Sequence, residues 1–235
     1  MKAIILAAGK GTRVQELNKE IPKVLFDILG KPMLVWNIEL LKKHGVNEIA
    51  VNTSHLAEKI TSHLGNGEKF GVNIKYSYEP ELLGTSGALN NFKDFLNETF
   101  FVIYGDIISQ IDLSKLLDFH RRKNSKATLV VHKTDHPEDS DIAQIDKNNK
   151  IVNLFHKPGN TQFGDIGSAA LYVVEPRVFD YLPQGKSDFI KDIFPKMIQN
   201  HEELYGYETN EFIKDAGTPE RIKKVENYLR LNLQQ

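Results

Sequence analysis

The run Leu6-Ala7-Ala8-Gly9-Lys10-Gly11-Thr12-Arg13 places small residues, two glycines and a forked cation directly after an apolar stretch. Backbone N–H groups freed of bulky side chains can approach a phosphate chain, and an arginine adds charge-assisted contacts to it. The run lacks the Gly-Lys-Ser/Thr ending of a Walker loop and the third glycine of a dinucleotide fingerprint. A tight turn explains the same residues, so alone they leave both readings open. In Pro22-Lys23-Val24-Leu25, a lysine beside a rigid proline can offset charge developing on a phosphoryl group, or can simply stand in solvent. Two acids complete the set of candidates. Asp106 closes the apolar stretch Phe100 to Tyr104, and Asp215 opens Asp215-Ala216-Gly217-Thr218. An acid at the carboxyl end of an apolar strand lies where open α/β sheets bind ligands. One or two carboxylates together with substrate phosphates make an ordinary Mg²⁺ ligand set. Read singly, Asp106 is also a turn aspartate and Asp215 a cap or turn residue.

The elements that must carry these residues follow from periodicity. Ala3 to Ala8 reads as a buried strand, helical spacing recurs over Leu34 to Leu41 with Gly45 as a stop, and Glu48 to Asn52 forms a second strand. Helices are expected near Leu56 to Leu64, Ser86 to Phe95 and Leu113 to Lys123, and strands at Val72 to Tyr78 and Phe100 to Tyr104. Such alternation implies a mostly parallel, helix-covered sheet. From Ala127 the rhythm changes to strand-like runs at Ala127 to His132, Ile142 to Ile145, Ile151 to His156 and Ser168 to Val174, read as an antiparallel insertion. Pro176 to Leu182 and Phe189 to Asn200 read as helices, Glu203 to Thr209 as a strand, and Pro219 to Leu231 as a closing helix. One domain over residues 1–235 is expected, with an alternating α/β half at 1–125 and a β-rich half at 126–235.

Composition narrows the classes of function. The 235 residues hold 30 Lys and Arg against 31 Asp and Glu, a net charge of -1, which offers no general basic field for nucleic acid. Zero cysteines exclude a disulfide scaffold, a thiolate metal site and a cysteine nucleophile, so a metal must bind oxygen or imidazole. No stretch nears the roughly 18 continuous apolar residues of a membrane span, and the N-terminal apolar run is short for a signal segment, so a cytoplasmic location is expected. His132, His136 and His156 have no compact ligand spacing, and Trp36 and the phenylalanines read as core.

In order and spacing the chain resembles the sugar-phosphate nucleotidylyltransferases. The residues that carry the likeness are Leu-Ala-Ala-Gly-x-Gly-Thr-Arg at 6–13, Pro22-Lys23-x-Leu25, Gly30-Lys31-Pro32-Met33 and Gly84-Thr85-Ser86-Gly87-Ala88. They continue with Tyr104-Gly105-Asp106, His156-Lys157-Pro158 and Asp215 to Arg221, so the matches span nearly the whole chain. The resemblance implies a Rossmann-like three-layer α/β/α fold, with a mixed, mostly parallel sheet and a β-rich sugar-binding insertion. It implies Mg²⁺-dependent transfer of a nucleotidyl group from a nucleoside triphosphate to a sugar 1-phosphate, with release of pyrophosphate. Leu6, Ala7, Ala8, Gly9, Gly11, Thr12 and Arg13 would hold the nucleotide, Lys23 would touch the phosphate under attack, and Gly84, Thr85, Gly87 and Ala88 would line the base pocket. Asp106 and Asp215 would hold Mg²⁺. Arg13, Lys23, Asp106 and Asp215 would thus form the catalytic group. Lys157 would hold the sugar phosphate, and Gly167 would lie against the sugar. Many relatives carry an acid where His156 stands, and His156 would either substitute a neutral hydrogen-bonding group or fill space. The reaction needs no protein nucleophile, because the attacking phosphate oxygen is already an anion.

Within the family, Ala50 to Leu56, Tyr181-Leu182-Pro183, Lys186 to Phe189 and Phe212 to Arg221 look most like the short bacterial guanylyltransferases for D-glycero-D-manno-heptose 1-phosphate and mannose 1-phosphate. GTP is the favoured donor, for cell-surface polysaccharide synthesis. Uridylyl transfer to N-acetylmuramate 1-phosphate or another hexose 1-phosphate, cytidylyl transfer to a phosphocholine-type acceptor, and a non-catalytic nucleotide-sensing subunit remain alternatives. With only two glutamines after Leu233, a lone catalytic domain is expected. Family members often form homodimers, although these residues do not specify an oligomer.

Overall fold

The computed structural model describes residues 1–9 and 20–232. From the N-terminus run β1 (Lys2–Leu6), β2 (Asp27–Ile28), β3 (Lys31–Pro32), α1 (Met33–Lys43), β4 (Glu48–Thr53), α2 (Ala57–Leu64) and β5 (Asn73–Tyr78). Next come α3 (Gly84–Gly87), β6 (Phe100–Tyr104), β7 (Ile107–Ser109) and α4 (Leu113–Arg122), then β8 (Ala127–Lys133), β9 (Ile142–Ile145), β10 (Ile151–Phe155) and β11 (Ile166–Val174). The last elements are α5 (Phe194–Gln199), β12 (Leu204–Glu208), β13 (Ile213–Asp215) and α6 (Pro219–Asn232). No helix among the described residues is long and apolar enough to cross a membrane.

The chain clusters into two compact units. One takes Ala3–Leu82, Ile103–Ile111 and the chain from Glu211 onward, and the other takes Met1–Lys2, Leu83–Val102 and Asp112–Asn210. In the first unit the strands run in the order β1-β4-β5, with β4 and β5 parallel and in register from Glu48 opposite Asn73 to Thr53 opposite Tyr78. The middle of β1 is apolar because both faces are covered: Ile4 and Ile5 are fully buried, as are Leu34, Ile38 and Leu41 of α1, whereas β5 carries exposed residues. Leu29 and Gly30 both take positive φ, the two-residue turn that joins β2 to β3, so the Gly30-Lys31-Pro32 motif is a hairpin. Lys31 Nζ stands 4.1 Å from the centre of the Trp36 ring, whose Nε1 donates to Ile28 O.

In the second unit β8 pairs antiparallel with β11 and parallel with β12, and β9 pairs antiparallel with β10. The antiparallel insertion is therefore present, with a parallel strand beside it. Three expected helices take other forms. Pro176 to Leu182 is a 3-10 helix over Pro176–Tyr181. Ser86 to Phe95 is the single turn α3 followed by a 3-10 turn at Ala88–Phe92, a stretch whose glycines and asparagines are weak helix formers. Phe189 to Asn200 begins as a π-turn at Phe189–Ile193, and Pro195, lacking an N–H, stands at the start of α5. Asp188 caps that π-turn, accepting from Ile190 N at 2.9 Å and Lys191 N at 3.2 Å.

Candidate active site

A short ribbon in the first unit brings the two acids together. β7 and β13 pair antiparallel, with Asp215 opposite Ile107, and Ala216 N donates to Asp106 O at 2.8 Å. Asp106 and Asp215 thus stand at the same end of one ribbon, although 108 positions separate them along the chain. Each carboxylate has a cation beside it: Lys23 Nζ donates to Asp106 Oδ2, and Arg221 of α6 donates to Asp215 Oδ2. A Cβ built on Gly217 would lie 2.5 Å from Asp215 Oδ1 and 2.8 Å from Lys23 Nζ, so both groups reach into the space this glycine leaves. Lys23, Asp106, Asp215 and Arg221 form one charged cluster.

Local chemistry fixes each member. Lys23 begins a 3-10 turn after Pro22, with Leu25 N bonded to Pro22 O at 2.8 Å, and the buried Val24 packs against Gly105. Gly105 itself admits no side chain: a Cβ there would sit 2.9 Å from Leu6 O, which accepts the Gly105 N–H. Gly217 N donates to Asp215 Oδ1 at 2.5 Å, turning the chain into α6, where Thr218 Oγ1 accepts from Arg221 N. The donor set is two hard carboxylates, each partly exposed and charge-balanced, which suits a divalent cation that completes its shell with phosphate oxygens. No group of three or more His, Asp or Glu side chains among the described residues could hold a metal unaided.

Upstream, Ala7 and Ala8 are buried and Gly9 is exposed, with open space where its Cβ would be. Ala7 N donates to Asn52 Oδ1 at 2.8 Å, and Asn52 Nδ2 donates to Glu79 Oε1 at 2.7 Å. Both side chains are buried, so a hydrogen-bonded relay anchors the exit of β1. Asn52 and Glu79 carry no site role in the sequence reading; a polar residue inside the apolar run of β4 was their one signal. Gly11, Thr12 and Arg13 lie outside the described residues.

The remaining candidates belong to the second unit. Gly84, with φ +78°, and Gly87 line a turn whose Cβ positions are filled: built Cβ atoms would meet Ser187 O at 2.3 Å and Gly185 O at 2.4 Å. These glycines let the turn dock closely on segment 185–187. Thr85 Oγ1 donates to Asp188 Oδ2 at 2.7 Å, and Ala88 is buried. Gly167 likewise faces Thr134, whose Cγ2 would be 3.2 Å from a built Cβ. Lys157 takes a left-handed φ of 40° and pairs with Asp139 at 3.7 Å. His156 Nδ1 stands 2.7 Å from Asp141 Oδ1. Burial holds the Asp141 carboxyl above the usual carboxylate range, reinforced by Asp188 and opposed by His156 and Lys157.

The model of the family described as nucleotidyl transferase matches residues 2–230. The chain belongs to the nucleotidyl transferase family. Among its relatives, a UTP--glucose-1-phosphate uridylyltransferase of Synechocystis is 37% identical over 221 residues, covering 87% of this chain and 57% of that protein. A mannose-1-phosphate guanylyltransferase of Mycobacterium tuberculosis is 31% identical, covering 93% of this chain and 61% of the relative. The chain therefore spans about three fifths of the length of the curated relatives it matches. Among solved structures, HddC from Yersinia pseudotuberculosis, complexed with GMP-PN, superposes with a TM-score of 0.81 at 26% identity over 97% of this chain and 99% of that one. A Bacillus anthracis protein described as a glucose-1-phosphate thymidylyltransferase gives 0.89 at 26% identity, covering 98% and 95%. The nucleotidyl transferase fold, a mixed and mostly parallel sheet with helices, is shared with these neighbours.

Proposed function

We propose that this nucleotidyl transferase moves a nucleotidyl group from a nucleoside triphosphate to a sugar 1-phosphate. The observation that carries the proposal is the ribbon that sets Asp106 and Asp215 side by side, each beside a cation. Asp106 and Asp215 would hold Mg²⁺, which when bound supplies positive charge to the phosphates. An oxygen of the sugar 1-phosphate attacks the α-phosphorus, a P–O bond forms there, and the bond to the β-phosphate breaks to release pyrophosphate. Lys23 neutralises charge on the α-phosphate, Arg13 holds the triphosphate, and Lys157 of the second unit orients the acceptor phosphate. Arg221, bonded to Asp215 Oδ2, holds that carboxylate in place.

GTP with a manno-configured acceptor, D-glycero-D-manno-heptose 1-phosphate or mannose 1-phosphate, is the favoured pair. The guanylyltransferase relatives and HddC with GMP-PN support it. Uridylyl transfer is the second reading, on the strength of the uridylyltransferase relative at 37% identity. The test is a pyrophosphate-release screen of GTP, UTP, CTP, dTTP and ATP against heptose, mannose, glucose and N-acetylmuramate 1-phosphates and phosphocholine. The expected result is release with GTP and a manno-configured acceptor. UTP as the sole productive donor selects the second reading, and nucleotide binding without release from any pair overturns the activity.

A further inference from the structure

Asn52 is buried in β4 beside Ile49, Ala50 and Val51, and takes no part in the chemistry above. Its amide is used on both sides: Oδ1 accepts from Ala7 N at 2.8 Å, and Nδ2 donates to Glu79 Oε1 at 2.7 Å. A carboxylate oxygen only accepts, so Glu79 dictates which way the amide faces. The NH₂ group must meet the carboxylate, and the carbonyl is then turned to Ala7. Glu79 is itself pinned, since its N–H donates to Thr53 O at 2.7 Å and its carbonyl accepts from Ser54 Oγ at 2.8 Å. Burying an amide costs free energy unless its bonds are made, and a leucine of nearly the same shape would suit this apolar strand. What asparagine adds is the direction of two hydrogen bonds.

One of those bonds falls on a peptide that carries a second constraint. Leu6 O, the other end of the Leu6–Ala7 peptide, accepts from Gly105 N at 2.9 Å. The peptide is therefore clamped on both sides, by Asn52 and by the residue that precedes Asp106. Gly105 O in turn accepts from Asn37 Nδ2, a buried amide of α1, at 3.3 Å. Leu6 is the last residue of β1, and Ala8 and Gly9 follow directly. Rotation of this one peptide would turn the backbone that enters the glycine run and shift it against the Asp106 segment. Bonds linked end to end in a buried setting resist such rotation together.

We infer, on the nucleotidyl-transfer reading given above, that Asn52 is a positioning residue for the nucleotide. Oriented by Glu79, it holds the Leu6–Ala7 peptide in the rotation that presents the following backbone N–H groups to the phosphates, and keeps that backbone in register with Asp106. Asn52 acts through Ala7 and not by contact with the substrate.

The test exchanges the two groups. Asparagine and aspartate have the same shape, so a role in packing alone predicts no effect of Asn52→Asp. With the inferred role, that variant sets two carboxylates against each other and loses the fixed orientation. Combining it with Glu79→Gln restores a donor at 79 for the carboxylate at 52, which can still accept from Ala7 N. Calorimetric titration of the full chain with GTP, UTP, CTP, dTTP and ATP reads the effect. Asn52→Asp should weaken the donor that the wild-type chain binds by about 10-fold or more, and the double variant should return to within about 3-fold of wild type. Asn52→Leu, which fills the same space without accepting from Ala7, should also lose about 10-fold, and serves if Asn52→Asp does not fold. Wild-type affinity in Asn52→Asp or Asn52→Leu overturns the positioning role, as does a double variant that binds no more tightly than Asn52→Asp. A wild-type chain that binds none of the five triphosphates removes the transferase reading and the positioning role with it, whereas equal binding and equal pyrophosphate release in all variants removes the positioning role alone.

Discussion

The charged ribbon of the first unit and the polar cluster of the second treat buried charge in opposite ways. At the ribbon each acid has its own cation, Lys23 for Asp106 and Arg221 for Asp215, so the site is balanced before any ligand arrives. In the second unit Asp141 has one imidazole beside it, His156 Nδ1 at 2.7 Å, and burial holds its carboxyl above the usual range. Paired cations leave a carboxylate ready to exchange one partner for another, whereas a single imidazole leaves the balance of Asp141 to burial.

Removing the ribbon's charge should have the largest effect. Asp106→Asn and Asp215→Asn are each expected to lower kcat/KM for pyrophosphate release by about 10³-fold or more, since a metal supplies several kcal/mol to a phosphoryl transition state. Near-normal rates in either variant would break the comparison at its strongest point. Lys23→Met should lower kcat by about 10²- to 10³-fold, the scale for a donor aimed at developing charge. Titration with Mg²⁺ should show no weakening in that variant, because the lysine competes with the metal for Asp106.

Two smaller effects probe the second unit. Gly84→Ala has to place a Cβ against Ser187 O and hold a left-handed φ, and should destabilise the protein by about 1–3 kcal/mol in chemical denaturation. Asp141→Asn should raise thermal stability near neutral pH. Its carboxyl titrates higher folded than unfolded, so the ionised form opposes folding once the pH exceeds the unfolded value. The gain in Tm over wild type should therefore grow as pH rises from about 4 to about 7. A variant less stable than wild type at every pH would make Asp141 a structural partner of His156.

Periodicity and breaker residues were enough to locate β6 from Phe100 to Tyr104, β9 from Ile142 to Ile145 and the closing helix, because long apolar runs and Pro219 speak locally. The α/β class followed from their alternation. The ribbon of β7 and β13 was not legible: three-residue strands carry no period, and their pairing depends on contacts between distant segments. That ribbon is what brings Asp106 to Asp215, so the residues could be named while their meeting could not. Arg221 was visible only as part of a motif, since its role depends on the turn from Asp215 into α6. Asp141 stands in a polar loop between strands, where nothing in the sequence reveals that the fold encloses one of its carboxylate oxygens. The glycines at 84 and 87 show a further limit, because sequence cannot say whether the space beside a glycine is open or filled, as here by Ser187 and Gly185.

The central claim is that Asp106 and Asp215 share one metal ion. The most direct test is the affinity for Mn²⁺, followed by electron paramagnetic resonance with a non-hydrolysable nucleoside triphosphate bound, in wild type, Asp106→Asn, Asp215→Asn and the double variant. One shared ion predicts a large loss in each single variant and little further loss in the double. Unchanged Mn²⁺ affinity in a single variant, or losses that simply add, would contradict it.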